Sequence, residues 1–481
     1  MSDLKIRVES IYDLALAKLL QDHLSNVILV SPTADQEKYL DGPVTNDPHE
    51  VHIGDLEYRS GVQIKGNSSV VNQIEELLRE KLPDSIVFHH PIQQDAVYNA
   101  TVIKYIYRKR MSILDLDGRN KGIMFNTETR VGNTHLVQVK ELTTDKDKLP
   151  VCSEEITLSG DYVILEVDAD FVRISRKIKG KDRNRLHDLG KRILPQGFGI
   201  IIRTSANAAD EQEIKDEIDE LVNMWESIEA EAQMSSENTK VVGGERVSEI
   251  ILGNASKVFL DKIRSNVTTT IPNYHHFKAY SMASGLTADF AQHFVDKIAT
   301  DELASTLEMM VLNRDFPISN HVKAEFNYLD GSSDENIIGN IIKSGETIVT
   351  RKTLGTNHEQ EAKNFEVHEG DIMEIYFSYG SWTVHYRFYS ALTGDLIGER
   401  LRIITPLDFV YRGRIRAFDM GMSLYKNADG ETTSEVDDST SDMVQRGMIS
   451  KKLDEKLGEV LRVAMQMIKS SNEAILIHLN Q

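Results

Sequence analysis

Hydrophobic and polar positions in the first 94 residues alternate between helical and strand spacing. Apolar side chains recur at helical intervals over 11–20, and the apolar run Val27–Val30 follows as a short strand. A second helix is predicted over 70–81, and Ile86 begins another strand after Pro83. The pattern predicts a small α/β domain over 1–94.

From residue 95 the pattern changes to short β runs separated by turn signals. Strands are predicted over 97–107, 111–115, 122–125 and 136–140, with Asp117-Gly118 as one of the turns, and another strand over 162–167 leads into a basic segment. Short strands at this spacing are typical of an OB-type barrel. The helix that follows carries five apolar residues at alternating steps of four and three, which predicts one buried face: Ile214, Ile218, Leu221, Trp225 and Ile228. We place this second domain over 95–233.

The polar, glycine-containing stretch 234–246 predicts a boundary. We interpret 234–312 as a linker and a helical connector that begins near Val247 and is interrupted over 268–276. The remainder, 313–481, is rich in strand signals and ends in a helix with Ser450 as the candidate N-cap. The chain is therefore predicted to be multidomain α+β.

Composition narrows the class of protein. A chain of 481 residues with 40% hydrophobic and 27% charged residues is typical of a globular protein with several cores. The single cysteine, Cys152, excludes an internal disulfide and any zinc site built from several thiolates, which favours a cytoplasmic location. No apolar run is long enough for a membrane span, and we expect no secretion signal and no membrane partner.

Charge is unevenly distributed along the chain. The net charge is −20, which argues against a surface that is basic throughout. Yet 171–192 holds nine Lys and Arg against Asp182 and Asp188, whereas 207–231 holds ten Asp and Glu against Lys215 alone. If the protein binds a polyanion, we expect it to bind at the local basic segment.

The stretch 174–183 through 194–204 resembles the ribonuclease E/G family in order, spacing and chemistry, and the resemblance extends over about 98–232. It implies an RNA 5′-sensor-like subdomain embedded in the barrel domain, in which Arg203 and Thr204 match a pair that contacts a 5′-monophosphate. A guanidinium can bind phosphate oxygens bidentately. Four basic residues would follow the RNA backbone: Arg176, Lys177, Lys179 and Arg183.

Other interpretations of these residues stay open. Arg203 can instead pair with the acidic helix that follows it, and the basic run can be a solvated face. Leu114 and Ile123 stand where the family's barrel presents aromatic residues for base stacking. Tyr105, beside Arg108, can replace that stacking or be buried in the strand core.

The catalytic half of ribonuclease E/G is not recognisable, because neither of its magnesium-binding strands follows Trp225. The whole chain is instead similar to an archaeal family of AU-rich-RNA-binding proteins classed as probable ribonucleases. His275, His276 and Lys278 are then the candidate catalytic residues, since two imidazoles and an ammonium can supply acid, base and phosphate stabilisation. The competing interpretation is a structural histidine pair.

The last domain resembles a small β-barrel family that includes nucleoside diphosphate hydrolases, which implies a C-terminal barrel with a terminal helix over 313–481. Members bind divalent metal through an Asn and several carboxylates. Here Arg402 replaces the Asn, and Asp419 and Asp437, beside Asp438, are the remaining candidate ligands, with magnesium as the candidate metal.

The resemblances together imply an endoribonuclease that acts on precursor rRNA and AU-rich single-stranded or loop RNA, with no DNA partner. The alternatives are a non-catalytic AU-rich-RNA-binding protein and a metal-dependent nucleoside diphosphate hydrolase.

Overall fold

The computed structural model describes residues 3–46, 48–125, 129–143, 148–355, 362, 364–437, 439–470 and 473–479. The chain forms two compact units, one made of Met1–His89 with Ser248–Gln481 and the other of His90–Val247. Both contain helices and strands, so the predicted mixed α+β class is confirmed.

The N-terminal part of the first unit is a seven-stranded sheet with three helices. Its strands are β1 (Leu4–Glu9), β2 (Val27–Val30), β3 (Val44–Thr45), β4 (Val51–Asp55), β5 (Gly61–Gly66), β6 (Ile86–His89) and β17 (Arg246–Ile251). Its helices are α1 (Asp13–His23), α2 (Ala34–Tyr39), α3 (Ser68–Lys81) and a 3-10 turn at Glu57–Arg59. The strand order is β3-β2-β1-β4-β5-β17-β6, and β1 pairs in parallel with both β2 and β4.

The helical connector predicted to begin near Val247 does not begin there, because these residues form strand β17. This strand lies between β5 and β6 in the sheet, and its Ser248–Ile251 half pairs antiparallel with β6. Its β-branched residues favour a strand over a helix. The backbones of β5 and β17 approach so closely at Gly61 that a Cβ there would overlap the Ile250 carbonyl, which explains a glycine at this position.

The second unit begins with a closed ring of five strands. These are β7 (Val97–Ile106), β8 (Met111–Asp115), β9 (Lys121–Phe125), β10 (Thr134–Glu141) and β11 (Val151–Ser153), with β16 (Thr239–Val242) added outside the ring and a 3-10 turn at Tyr107–Lys109. The ring order is β7-β8-β9-β11-β10, closed by pairing of β10 with β7, and β9 and β11 are parallel. Its interior is apolar and includes Val102, Leu114 and Val139.

A smaller sheet completes the second unit. Its elements are β12 (Thr157–Ser159), β13 (Val163–Val167), β14 (Phe171–Ile174), α4 (Gly180–Ile193), β15 (Phe198–Ile202), a 3-10 turn at Thr204–Asn207 and α5 (Glu211–Met234). The strand order is β12-β13-β15-β14. Asp210 caps α5, and all five residues of its predicted apolar face are buried, each contributing about 1.5–3 kcal/mol.

Four helices of the first unit precede its second sheet: α6 (Asn254–Ser265), α7 (Tyr274–Tyr280), α8 (Met282–Gln292) and α9 (Thr300–Asp315). Asp84 holds the start of α6, because its carboxylate accepts the backbone N–H of Ala255 at 2.9 Å and of Ser256 at 2.8 Å. The charge complements the partial positive end of the helix.

The C-terminal sheet closes on itself. Its elements are β18 (His321–Tyr328), β19 (Ser333–Lys343), β20 (Ile348–Thr353), β21 (Ile372–Phe377), β22 (Thr383–Tyr389), β23 (Leu396–Ile404), β24 (Asp408–Val410), β25 (Arg414–Asn427), β26 (Thr432–Val436), α10 (Ser439–Gln445) and α11 (Lys451–Ser470). Seven strands run in the order β18-β19-β20-β21-β22-β23-β25, and parallel pairing of β18 with β25 closes the ring.

The terminal helix α11 begins as predicted. The Ser450 hydroxyl accepts the backbone N–H of Leu453 at 3.1 Å, which is an N-cap hydrogen bond. The buried face of α11 joins a core with residues of β23 and β25. Within the described parts of the chain, no helix is both long and apolar enough to cross a membrane.

Candidate functional site

Two parallel strands of the small sheet place the matched Arg-Thr pair at one sheet edge. Ile174 at the end of β14 lies opposite Ile202 at the end of β15. Because parallel strands end at the same edge, the residues that follow them are neighbours. The hydroxyls of Ser175 and Thr204 are 2.9 Å apart, and Arg203 stands beside them. We call this the β14–β15 edge.

Arg203 is exposed, but its direction is set by the backbone of the turn between β12 and β13. Its Nη1 donates to the Gly160 carbonyl at 2.5 Å, and its backbone N–H donates to the Tyr162 carbonyl at 2.8 Å. Among the described residues it forms no ion pair with α5, so the alternative pairing with the acidic helix is not present. The guanidinium remains on the surface of the β14–β15 edge.

The four basic residues predicted to follow RNA fall into two groups. Arg176, Lys177 and Lys179 lie between β14 and α4 with exposed side chains. Arg183 is half-buried, and its Nη1 donates to the carbonyls of Ile174 at 3.1 Å and Ser175 at 3.0 Å. It therefore holds the end of β14, whereas the other three present their charges to solvent.

Aromatic side chains of the five-strand ring are partly open to solvent. Tyr105 is half-buried and lies edge-on to Tyr107, with ring centroids 4.8 Å apart, while Tyr107 is 83% exposed and Arg108 is also exposed. Leu114 is fully buried, so it cannot stack on a base. Phe125, at the end of β9, is 45% exposed and was not foreseen as a stacking residue. The alternation of inward and outward residues along β9 could have indicated it, since this alternation places Phe125 on the outward face, opposite Met111.

The two candidate catalytic histidines lie in a buried polar cluster of the first unit. The backbone N–H of His275 donates to Asp261 Oδ1 at 3.0 Å, and its Nδ1 lies 2.7 Å from the same oxygen. Asp261 stands one helical turn after Lys257 on α6, so both face the same side. His275 is 1% exposed and His276 is 6% exposed.

His276 uses a different carboxylate. Its Nδ1 lies 3.0 Å from Asp408 Oδ1, and the ammonium of Lys257 forms an ion pair with the other oxygen of Asp408. Burial by itself would raise the pKa of Asp408, but the Lys257 ammonium and His276 outweigh it and hold that pKa well below its usual range. The Asp408 carboxylate on Nδ1 orients the His276 imidazole, whereas Nδ1 of His275 forms no hydrogen bond among the described residues despite its closeness to Asp261.

Lys278 does not join either imidazole. Its Nζ lies 2.7 Å from Asp289 Oδ2, and Asp289 also accepts the Tyr274 hydroxyl at 2.6 Å. The structure thus places the three candidate catalytic residues on one short helix, α7, with three separate carboxylate partners. Since both imidazoles are buried, a phosphodiester reaches them only if the surrounding side chains open.

The candidate metal ligands of the C-terminal barrel have other partners. Asp419 Oδ2 accepts two guanidinium nitrogens of Arg402, at 2.9 and 2.5 Å, and its Oδ1 accepts the backbone N–H of Gly421 at 2.9 Å. A guanidinium therefore occupies the cation position beside Asp419. Asp437 is exposed, and Asp438 lies outside the described residues.

Magnesium is not supported by the donor set. Within the described residues there is no group of three or more His, Cys, Asp or Glu side chains that could hold a metal ion.

Sequence reasoning missed Lys257 and Asp408, which are 151 positions apart and both at least nine-tenths buried. Charged residues are seldom buried unless they are paired. No local pattern in the sequence indicates such a pairing, because the partners come from a helix and from a short strand of the C-terminal sheet.

Comparison with known proteins finds one family model and several relatives that match nearly the whole chain. Residues 157–309 match the model of the ribonuclease E/G family. "Probable ribonuclease FAU-1" of Thermococcus gammatolerans is 27% identical over 477 residues, covering 96% of this chain and 98% of that protein. The proteins of the same name from Pyrococcus horikoshii and Haloarcula marismortui are 25% and 24% identical, with 97% of this chain covered in each case and 98% and 100% of the relatives.

Two solved structures match part of the chain. Phosphatase SC4828 with the nucleotide GPCP has a TM-score of 0.24 at 9% identity, and FomD with CDP has a TM-score of 0.26 at 10% identity. Each match covers 32% of this chain. The matches extend over 83% of the phosphatase chain and 86% of the FomD chain. The predicted resemblance is confirmed: the chain is similar to the ribonuclease E/G family in its middle region and, over nearly its whole length, to the archaeal probable ribonucleases named FAU-1.

Proposed function

We propose that this protein is an RNA-binding endoribonuclease that recognises the 5′ end of RNA at the β14–β15 edge. The observation that carries the proposal is the convergence of Ser175, Arg203 and Thr204 at this edge. Two hydroxyls and a guanidinium are donors suited to a terminal phosphate, which offers several acceptor oxygens.

The flanking charges fit a polyanionic ligand. Arg176, Lys177 and Lys179 extend from the same edge, in a chain whose net charge is −20. Contacts of this kind set affinity and salt dependence without sequence preference. Arg183 is the fourth basic residue that we propose for RNA binding. Its guanidinium donates to the carbonyl of Ile174 at the end of β14.

We propose that the five-strand ring is an OB-type barrel that carries single-stranded RNA. Support comes from its closed order and from the parallel pair β9 and β11. Tyr105, Tyr107 and Arg108 lie at its rim and offer aromatic and cationic surface to bases. AU-rich loops and precursor rRNA are the proposed substrates, in RNA maturation or decay in the cytoplasm, with no DNA partner.

For cleavage we propose the imidazoles of His275 and His276, with Lys278 as phosphate partner. The His276–Asp408 pair supports this assignment, because a carboxylate on Nδ1 is the orienting contact that a general base needs. The relatives that match nearly the whole chain carry the name of probable ribonucleases, which supports an endoribonuclease activity.

A non-catalytic RNA-binding protein is the second candidate function. It is favoured by the burial of His275 and His276 and by the separation of Lys278 from both imidazoles. A nucleoside diphosphate hydrolase acting through Asp419 is less favoured, because Arg402 already binds that carboxylate.

The test is to incubate the purified chain with labelled structured RNA, with and without EDTA, and separately with nucleoside diphosphates. Defined RNA fragments that persist in EDTA support the histidine assignment, and fragments that disappear in EDTA support a magnesium site. Bound but uncut RNA supports the second candidate. Released inorganic phosphate would favour the hydrolase and overturn the proposal.

A further inference from the structure

The carboxylate of Glu217 lies under the turn that orients Arg203. Glu217 belongs to α5 and is half-buried. Its two oxygens accept three successive backbone N–H groups, those of Asp161, Tyr162 at 2.8 Å and Val163 at 2.8 Å. A Cβ on Gly160 would overlap this carboxylate, so the turn and the side chain are fitted closely together.

The other end of each of these peptide units faces the β14–β15 edge. The Gly160 carbonyl accepts Nη1 of Arg203 at 2.5 Å, and the Tyr162 carbonyl accepts the Arg203 backbone N–H at 2.8 Å. The Asp161 carbonyl accepts the hydroxyl of Ser205 at 2.5 Å. Three consecutive peptide units therefore connect the Glu217 carboxylate on one side with residues 203–205 on the other.

A negative charge at the N–H end of a peptide unit increases the negative character of its carbonyl oxygen. Hydrogen bonds joined in this way polarise one another. The Glu217 carboxylate thus strengthens the hydrogen bond that fixes the Arg203 guanidinium. Because the bridge consists of backbone, this influence depends on the charge of Glu217 and on the number of its acceptor oxygens.

We propose that Glu217 is a positioning residue for 5′-phosphate recognition, acting on Arg203 through the peptide units of 160–163. The inference rests on the proposed 5′-end function and deepens it. Without the carboxylate, the three peptide units lose their common anchor and the guanidinium loses its fixed direction. A guanidinium without a fixed direction still attracts the RNA backbone by its charge, but it no longer donates well-directed hydrogen bonds to a terminal phosphate.

The experiment compares the affinities of one short single-stranded RNA carrying either a 5′-monophosphate or a 5′-hydroxyl. In Glu217→Gln the amide keeps one acceptor oxygen and loses the charge, so we expect the ratio of the two affinities to fall by about tenfold. Affinity for the 5′-hydroxyl RNA should stay at the wild-type value. A loss of fold would lower both affinities together, which separates positioning from general damage.

The matched control is Glu220→Gln, which removes the same charge from an exposed position of α5. It should leave the ratio unchanged. Arg203→Ala should bring the ratio to one and sets the lower limit. If the wild-type ratio is already one, the 5′-end function itself is overturned. If the wild-type ratio is above one and survives in Glu217→Gln, only the role of Glu217 is overturned.

Discussion

The β14–β15 edge and the buried polar cluster around His275 and His276 differ in whether their charges are exposed or neutralised by a partner. At the edge, Arg203 is exposed and is held by backbone carbonyls, so its positive charge stays available to a ligand. In the cluster, Lys257 is buried against Asp408, and His275 is buried against Asp261. Only the first arrangement presents charge to a partner without rearrangement.

The two regions therefore respond differently to substitution. Neutral backbone contacts orient a cation and leave its charge in place. A buried carboxylate both orients the cation and neutralises its charge. An isolated buried ion is costly, so removal of one partner in the cluster affects stability as well as chemistry. At the edge, the same change affects binding with little cost to the fold.

His276→Ala should have the strongest effect on cleavage. If His276 supplies a proton in cleavage, the rate should fall by about 10²–10⁴-fold while RNA affinity stays near the wild-type value. The measurement is single-turnover cleavage of a labelled RNA at saturating protein.

A suitable control is His293→Ala, because His293 is exposed at the end of α8. Its cleavage rate should match wild type. Full activity of a folded His275→Ala, His276→Ala double variant would show that neither imidazole takes part, and the cluster would then be purely structural.

Next in size is the stability that the buried pair provides. Lys257→Met leaves Asp408 without its ammonium partner and should lower the free energy of unfolding of the first unit by about 3–5 kcal/mol. The two tryptophans allow this to be measured, since Trp225 and Trp382 lie in different units. In a Trp225→Phe background, the fluorescence of Trp382 reports urea unfolding of the first unit alone.

The same pair has a defined pH dependence. The pKa of folded Asp408 is depressed, so its stabilising contribution is complete above the unfolded value of about 3.9 and is lost as the pH falls below it. Asp408→Asn should therefore flatten the acid side of the stability curve. If the stability of Asp408→Asn falls with pH below 5 as steeply as that of the wild type, Lys257 and His276 do not lower the pKa of Asp408.

The sequence was informative wherever the relevant contacts are local. The face of α5 follows from helical spacing, and the N-cap at Ser450 follows from a hydroxyl before an apolar-periodic segment. Arg203 and Thr204 were named from the resemblance to ribonuclease E/G, whereas strand β14 and its parallel pairing with β15 were not predicted. The OB-type barrel and the site residues of this chain stay predictions.

Contacts between distant segments were not accessible in the same way. Strand β17 is inserted between β5 and β6, although about 180 residues separate it from its neighbour β5. Asp408 meets His276 from a position 132 residues away. Such pairings depend on the closure of the whole first unit, and neither propensity nor periodicity encodes them.

The exposed charges of the β14–β15 edge should have a more modest effect, on the salt dependence of RNA binding. Replacing Arg176, Lys177 and Lys179 together by Ala should reduce the slope of log affinity against log salt by about 2, because about 0.7 counterions are released per contacted phosphate of a single strand. Arg183→Ala should change the slope less than any one of these three replacements, since its guanidinium is half-buried at the end of β14 whereas the other three side chains are exposed. The control replaces three exposed lysines of the other unit, Lys297, Lys343 and Lys469, and changes the total charge equally. An equal reduction in slope in both triple variants would mean that net charge, and not the β14–β15 edge, determines binding.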